Sequence, residues 1–127
     1  MRLSIFPIKH QAQRYETVGD WVWDPTRQDL TIYVSKTGNW KSEMLVGIHE
    51  AVEALLCIDR GISQGDVDNF DVAFEDARDK DDGEPGDEPA APYFKEHAVA
   101  TEIEKKLCAE LGMDWDAYDK EVSDASL

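Results

Sequence analysis

The chain has 127 residues, a length typical of a single compact domain. Hydrophobic residues make up 42% and aromatic residues 9%, which suffices for a folded core and excludes wholesale disorder. Acidic side chains number 28 against 13 basic ones, so the net charge is −15. Direct binding to nucleic acid or to an anionic membrane is disfavoured, because both depend on Lys and Arg. We therefore predict one acidic domain over residues 1–127.

The negative charge is concentrated in the second half of the chain. Residues 1–64 hold 8 acidic and 7 basic side chains, whereas residues 65–127 hold 20 and 6. The start of the chain lacks the apolar segment of a signal peptide, and no stretch approaches the roughly 20 apolar residues of a membrane-spanning helix. The only cysteines, Cys57 and Cys108, lie far apart within helical patterns. A cytoplasmic location is the prediction from these features, since two such thiols do not form a disulfide framework.

The N-terminal region, about residues 3–35, predicts β-strands. Residues 3–6 predict a short edge strand that the following proline ends. Residues 20–23 and 30–34 are rich in β-formers, and apolar and polar side chains alternate along the second of these segments. Residues 24–29 between them carry turn chemistry. This pattern predicts an antiparallel hairpin, alone or within a three-stranded sheet.

The clearest helical pattern covers residues 41–60. Asn39 or Ser42 can cap its N-terminus, and Gly61 supplies a stop signal at its C-terminus. One apolar stripe runs along it at helical spacing and is the predicted buried face. The stripe consists of Leu45, Ile48, Val52, Leu55 and Leu56.

Two further helices are predicted downstream, separated by an acidic loop. Residues 66–78 form the shorter helix, whose buried side is predicted to be Val67, Phe70 and Phe74. Residues 79–89 predict a solvated loop, and the wider acidic run 75–88 lacks the spacing of an EF-hand. Residues 92–111 form the longer helix, and residues 114–121 add a short helical turn. The predicted core face of the longer helix is Ala100, Ile103, Leu107 and Leu111.

The segment Leu45-Val46-Gly47-Ile48-His49-Glu50-Ala51-Val52-Glu53 carries the first candidate chemistry. His49 and Glu53 are four residues apart, so on a helix their side chains share one face, about 6 Å apart at Cβ. Both lie at the border of the apolar stripe, where ligands reach a cleft while the core holds their backbone. Glu50 lies beside them and could act as a general base on a water held by a metal. The alternative is a surface His–Glu pair that stabilises the helix by about a few tenths of a kcal/mol.

A third ligand has to come from another element, and His97 is the candidate. His97, Thr101, Glu104 and Cys108 form a polar stripe beside the predicted core face of helix 92–111. Two helices with such stripes can meet at one metal, and two histidines with one carboxylate are a common ligand set of catalytic zinc. The alternative is that His97 is an ordinary polar residue on a charged helix.

The strand pair, the short connection and the helix with His49-Glu50 resemble the minimal zincin core of the ImmA/IrrE and SprT-like families of small cytoplasmic metallopeptidases. In those families His-Glu-x-x-His supplies two zinc ligands and the catalytic base, and a later helix supplies the third ligand. Glu53 stands where the family has its second histidine, and His97 stands where it has a glutamate. The resemblance therefore implies a permuted set of two histidines and one glutamate. The chain is also similar to tailed-bacteriophage proteins with a comparable pair of helices, which would place it in the host cytoplasm.

Two further residues are weaker candidates. Asp71 is one helical turn from Val67 and Phe74, so it could be a fourth ligand or accept a hydrogen bond from a ligand histidine, although such a residue is more often exposed. Thr101 and Glu104 could act in the same way from the later helix. Cys57 continues the stripe of His49 and could be a soft ligand, but a packing thiol is favoured because free cysteines are commonly buried.

These observations predict an α+β fold, with a small antiparallel hairpin or sheet packed on two main helices and one minor helix. The leading function is a zinc-dependent hydrolase of zincin type that acts on a peptide or protein. The alternative is a non-catalytic acidic interaction protein, an inhibitor or nucleic-acid mimic, that binds a basic partner and keeps at most a structural metal. A magnesium-dependent nucleotide hydrolase is a third option, disfavoured because two histidines suit zinc better than magnesium.

Overall fold

A computed structural model describes residues 1–78 and 83–126, which form three strands and four helices. In chain order these are β1 (Arg2–Ile8), β2 (Gly19–Asp24), β3 (Asp29–Ser35), α1 (Trp40–Asp59), α2 (Gln64–Asp76), α3 (Phe94–Glu110) and α4 (Trp115–Asp124). Short 3₁₀ turns occur at His10–Ala12 and Pro85–Asp87. The predicted α+β class is confirmed. Within the described ranges, none of the helices has the length and apolar character that a membrane crossing requires.

The three strands form a mixed sheet in the order β1-β3-β2. The predicted hairpin of β2 and β3 is confirmed as antiparallel, but β1 runs parallel to β3, so an all-antiparallel sheet was wrong. The most buried strand, β3, takes the central position, and the connection from β1 to β2 passes over one end of β3. The predicted stop of β1 at Pro7 was also wrong, because Pro7 remains in the strand opposite Val34. An edge strand tolerates a proline whose missing N–H is not needed by a neighbour.

The core lies between the sheet and α1. Alternation along β3 directs Leu30, Ile32 and Val34 toward α1, and each is at most 1% exposed. Burial of each such side chain contributes roughly 1.5–3 kcal/mol. Because α3 also packs on α1, this helix contacts both the sheet and another helix. It is therefore the central element of the fold.

The ends of α1 follow the predicted signals. Asn39 is the N-cap, and its side-chain oxygen accepts a hydrogen bond from the backbone N–H of Lys41 at 3.1 Å. Gly61 follows the helix with a φ of +72°, a conformation that glycine adopts without steric cost. The predicted range 41–60 thus agrees with the observed helix.

The buried face of α1 differs from the predicted one. Leu55 is 42% exposed and Val52 is half-buried, whereas His49 and Glu53 are fully within the buried face. The prediction assumed one buried side. Because both the sheet and α3 pack on α1, the buried surface of the helix includes His49 and Glu53.

The same correction applies to α3. Ile103, predicted to be in the core, is 41% exposed, while His97, Glu104 and Cys108 of the predicted polar stripe are buried. Only Ala100 of the predicted core face is fully buried. The polar stripe is therefore the surface that packs against α1.

The outer edge of β2 is covered by a side chain of α2. Gln64 donates from Nε2 to the carbonyl of Trp21 at 2.8 Å and accepts from the backbone N–H of Trp23 at 3.0 Å. It thereby satisfies the groups that a neighbouring strand would otherwise pair with. Further along α2, Val67 is buried and Phe70 is half-buried, as predicted.

Candidate metal centre

The fold brings His49, Glu53 and His97 together at the packing surface between α1 and α3. Nε2 of His49 lies 3.2 Å from Nδ1 of His97, and Oε2 of Glu53 lies 3.4 Å from the first and 3.0 Å from the second. All three residues are buried. Residues 44 and 48 positions apart in the chain thus present three ligand atoms to one point.

These separations fit the ligand spacing of a small divalent metal. Four ligands placed tetrahedrally at zinc distances of about 2.0–2.1 Å lie about 3.3 Å from one another. The observed separations of 3.0–3.4 Å require little movement of the side chains to reach this arrangement. The three residues together could therefore hold a metal ion, with a fourth position left for a water or a substrate.

The ligand atoms are oriented by partners outside the cluster. Nδ1 of His49 donates to Oε1 of Glu104 at 2.7 Å, and the hydroxyl of Tyr118 donates to the other oxygen of Glu104. Nε1 of Trp21 donates to Oε1 of Glu53 at 3.3 Å, which leaves Oε2 facing the histidines. A carboxylate on the far nitrogen of a ligand histidine fixes the ring and increases its basicity. Glu104, predicted as a possible hydrogen-bond acceptor for a ligand histidine, thus accepts a hydrogen bond from His49.

Proton affinities in the cluster reflect the close approach of opposite charges. Burial alone would raise the pKa of Glu53, but the two neighbouring histidines lower it to about 2. Burial alone would lower the pKa of His97, but the carboxylates of Glu53 and Glu84 raise it to about 10. The pKa of His49 is raised well above its ordinary value because Glu104 and Glu53 outweigh its burial. A divalent cation would take over the role that protons have in balancing these carboxylates.

Glu50 lines the same cavity as the three ligand residues. Burial and the charge of Glu53 raise the pKa of its carboxyl group well above the ordinary value. No hydrogen bond among the described residues involves this carboxylate. An added Cβ on Gly19 would come within 2.8 Å of Cγ and Oε1 of Glu50, so the glycine at the start of β2 leaves the room that Glu50 occupies.

The other predicted candidates make no hydrogen bond to His49, Glu53 or His97 among the described residues. Asp71 accepts hydrogen bonds from the hydroxyls of Tyr15 and Tyr93 instead of from a histidine. Burial raises the pKa of Asp71 to about 7. Thr101 lines the cavity without a side-chain hydrogen bond to any described residue. Cys57 is fully buried in the core, as the packing interpretation predicted.

The predicted acidic loop 79–89 contributes to the site instead of being only a solvated segment. Residues 79–82 lie outside the described residues. Glu84 and Asp87 direct carboxylate oxygens at Nε2 of His97, 3.1 and 3.2 Å away. Between them Gly86 is buried against the ring, and an added Cβ there would lie 2.5 Å from Nδ1 of His97. The 3₁₀ turn thus packs directly on one of the ligand histidines.

A cavity of about 700 Å³ connects the cluster to the surface. Besides the ligands and Glu50, its lining holds more acidic side chains, among them Glu84, Asp87 and Asp119, than the basic side chains of Arg78 and Lys105. Such a concentration of one charge sign attracts positively charged groups into a cleft.

Sequence reasoning missed the turn of Glu84 and Asp87 and the partners Trp21 and Tyr118. Only the acidic composition of the loop was visible in advance, and it did not identify a contact with α3. Comparisons with protein-family models, with curated proteins and with solved structures give no match for this chain. What can be inferred about function therefore depends on the geometry of the site.

Proposed function

We propose that this protein is a zinc-dependent hydrolase that acts on a peptide or protein, with His49, Glu53 and His97 as the metal ligands. The observation that carries the proposal is the triangle of ligand atoms separated by 3.0–3.4 Å within a buried interface. Burying ionisable groups in a core costs several kcal/mol per ion unless they are well paired, and an apolar interface would serve folding as well. A buried cluster of this kind in a cavity wall is typical of a functional site.

Bound zinc would lower the pKa of a water molecule and polarise the carbonyl group of a substrate. Glu50 is the group that accepts the proton of the attacking water. Glu50 suits this role because its carboxylate lines the same cavity as the three ligand residues and accepts no hydrogen bond from any described residue. The same carboxyl group can then donate the proton to the leaving amine, so that the protonation state of Glu50 is restored.

The cavity sets how a substrate approaches. Because Gln64 already pairs with Trp21 and Trp23, the edge of β2 at these residues is closed to an added strand. The substrate therefore approaches through the acidic cavity, and segments with Lys or Arg are favoured over acidic ones. A volume of about 700 Å³ accommodates a few residues of an extended peptide.

The experiment compares the wild type with Glu50→Gln on a set of unstructured basic and acidic peptides in the presence of zinc. The amide keeps the shape of the side chain but cannot accept the proton, so hydrolysis should fall by about 10²–10⁴-fold while zinc content stays unchanged. Asp59→Asn, an exposed change near the end of the same helix, is the control and should keep full activity.

Hydrolysis by Glu50→Gln at the wild-type rate would overturn the role of Glu50. A wild type that holds zinc but cleaves none of the peptides would overturn the hydrolase and favour the acidic interaction protein. In that case capture of a basic partner should weaken as salt rises, since the attraction is between exposed charges.

A further inference from the structure

A second cluster of ligand atoms lies on the opposite side of the His97 ring. Nδ1 of His97 faces His49 and Glu53, whereas Nε2 faces away from them, toward the 3₁₀ turn. Oε2 of Glu84 lies 3.1 Å and Oδ1 of Asp87 lies 3.2 Å from Nε2. We name this group of three the outer cluster and the group of His49, Glu53 and Nδ1 of His97 the inner cluster.

Nε2 of His97 is a buried polar atom without a hydrogen bond to any described residue. His97 as a whole is only 5% exposed, so a partner for Nε2 has to arrive through the exposed carboxylates of Glu84 and Asp87. Although two carboxylate oxygens lie at a suitable distance, neither is aligned with the N–H direction of the ring. Two carboxylates beside a buried ring nitrogen favour a positive charge there, and their poor alignment with the ring N–H favours a bound cation over a proton as the source of that charge.

The spacing of the outer cluster fits a cation. An octahedral site with bonds of about 2.1 Å separates neighbouring ligands by about 3.0 Å. Ligands at right angles about a metal lie well off the ring axis, as the two carboxylate oxygens here do. The observed 3.1 and 3.2 Å therefore agree with the spacing of metal ligands, while the poor alignment disfavours a hydrogen bond.

The turn that carries the outer cluster is held in place. The backbone N–H of Glu84 donates to Oδ2 of Asp87 at 3.2 Å, which leaves Oδ1 free to face His97. Gly86 lets the backbone approach the ring to a distance that no side chain would allow. The carboxylates are 59% and 60% exposed, so a cation and its remaining water ligands can reach them from solvent.

We propose that Glu84, Asp87 and Nε2 of His97 bind a second divalent cation, which the His97 ring joins to the ion of the inner cluster. The bridge through the His97 ring rests on the proposed function, because it requires a metal ion in the inner cluster. Binding of a cation by the outer cluster does not require that ion. One imidazole and two carboxylates suit Zn²⁺ or Mn²⁺ better than Ca²⁺ or Mg²⁺. When both ions are bound, Nε2 has released its proton to solvent.

The test is the number of zinc ions bound by the untagged full chain in equilibrium dialysis. Wild type should bind two, and Glu84→Gln combined with Asp87→Asn should bind one. The carboxylates are exposed, so the double variant should keep its helical circular-dichroism spectrum. Glu88→Gln, an exposed change next to the turn, is the control and should still bind two.

His49→Ala separates the two clusters. It removes a ligand of the inner cluster only, so it should retain one zinc, which the added Glu84→Gln and Asp87→Asn changes then remove. One zinc in wild type that His49→Ala abolishes would overturn the second site and leave the proposed function intact. One zinc that only the Glu84→Gln and Asp87→Asn changes abolish would support the outer cluster and overturn the inner one. A wild type without zinc would overturn both.

Discussion

Glu104 on α3 accepts a hydrogen bond from Nδ1 of His49 on α1 at 2.7 Å, across 55 positions of the chain. Because Nδ1 donates in this bond, Nε2 is the nitrogen that faces Glu53 and His97. The contact therefore fixes both the orientation of the ring and the atom that it offers to a metal. It also ties the two ligand-bearing helices together at the level of the site.

The bond between Glu104 and His49 predicts the effect of Glu104→Gln on metal affinity. The amide keeps the size of the side chain but removes the charge that makes His49 a stronger ligand. Zinc affinity should fall by about 10- to 100-fold, as measured by competition with a chromophoric chelator. Glu102→Gln, exposed on the same helix, should bind zinc as tightly as wild type. Equal affinities of the two variants would contradict the orienting role of Glu104.

The three inner ligands are predicted to act as one unit. His49→Ala, Glu53→Ala or His97→Ala should each remove the ion of the inner cluster, and double variants should show no further loss from it. Two remaining ligands already bind weakly, so the effects do not add. Titration of the inner ion by its Co²⁺ absorption spectrum measures this. His10→Ala should leave the spectrum unchanged, and a full-strength spectrum from His97→Ala would contradict the three-ligand site.

Gly86→Ala is predicted to destabilise the fold, because the added methyl group would clash with the side chain of His97. The added methyl group would lie 2.5 Å from Nδ1 and 2.9 Å from Cβ of His97, so either the ring or the turn must move. Overpacking of this kind typically costs about 1–3 kcal/mol of unfolding free energy. Urea unfolding of the metal-free protein measures the loss. Gly65→Ala in α2, where an added Cβ meets only an atom 4.0 Å away, should not destabilise the fold, and equal losses would contradict the packing of the turn on the ring.

Asp71 predicts a pH dependence of stability. Burial raises its pKa from 3.8 to about 7 in the folded protein. Between these values the folded state binds more protons than the unfolded state, so the contribution of Asp71 to stability falls as the pH rises from about 4 to about 7. The unfolding free energy of metal-free wild type relative to Asp71→Asn should therefore decline across this interval. For the exposed control Asp76→Asn, the plot of unfolding free energy against pH should run parallel to that of wild type. A parallel plot for Asp71→Asn would refute the raised pKa of Asp71.

The grouping of His49, Glu53 and His97 was predictable because its signals are local. His49 and Glu53 are four residues apart on a strongly indicated helix, and the polar stripe of α3 mirrored them. The sequence did not reveal which face of each helix is buried. Hydrophobic periodicity assigns one buried side to each helix, whereas α1 is packed by the sheet and by α3. The polar stripes therefore became the packed faces, and Leu55 and Ile103 became exposed.

The outer partners were not predictable for a different reason. Glu84 and Asp87 belong to an irregular segment in which no periodicity links side chains to a face. Their contact with His97 depends on how the turn returns along α3, and on the absence of a side chain at Gly86. Composition alone predicted a solvated loop, which is the usual fate of such a segment. Tertiary packing instead brings Glu84 and Asp87 into contact with His97 of α3.

His49, Glu53 and His97 are proposed to hold one metal ion together. Anomalous diffraction at the zinc absorption edge, from crystals of the untagged protein grown with zinc, tests it most directly. We expect a peak about 2.0–2.2 Å from Nε2 of His49, Nδ1 of His97 and Oε2 of Glu53. A zinc-saturated crystal with no peak within bonding distance of these three atoms would contradict it.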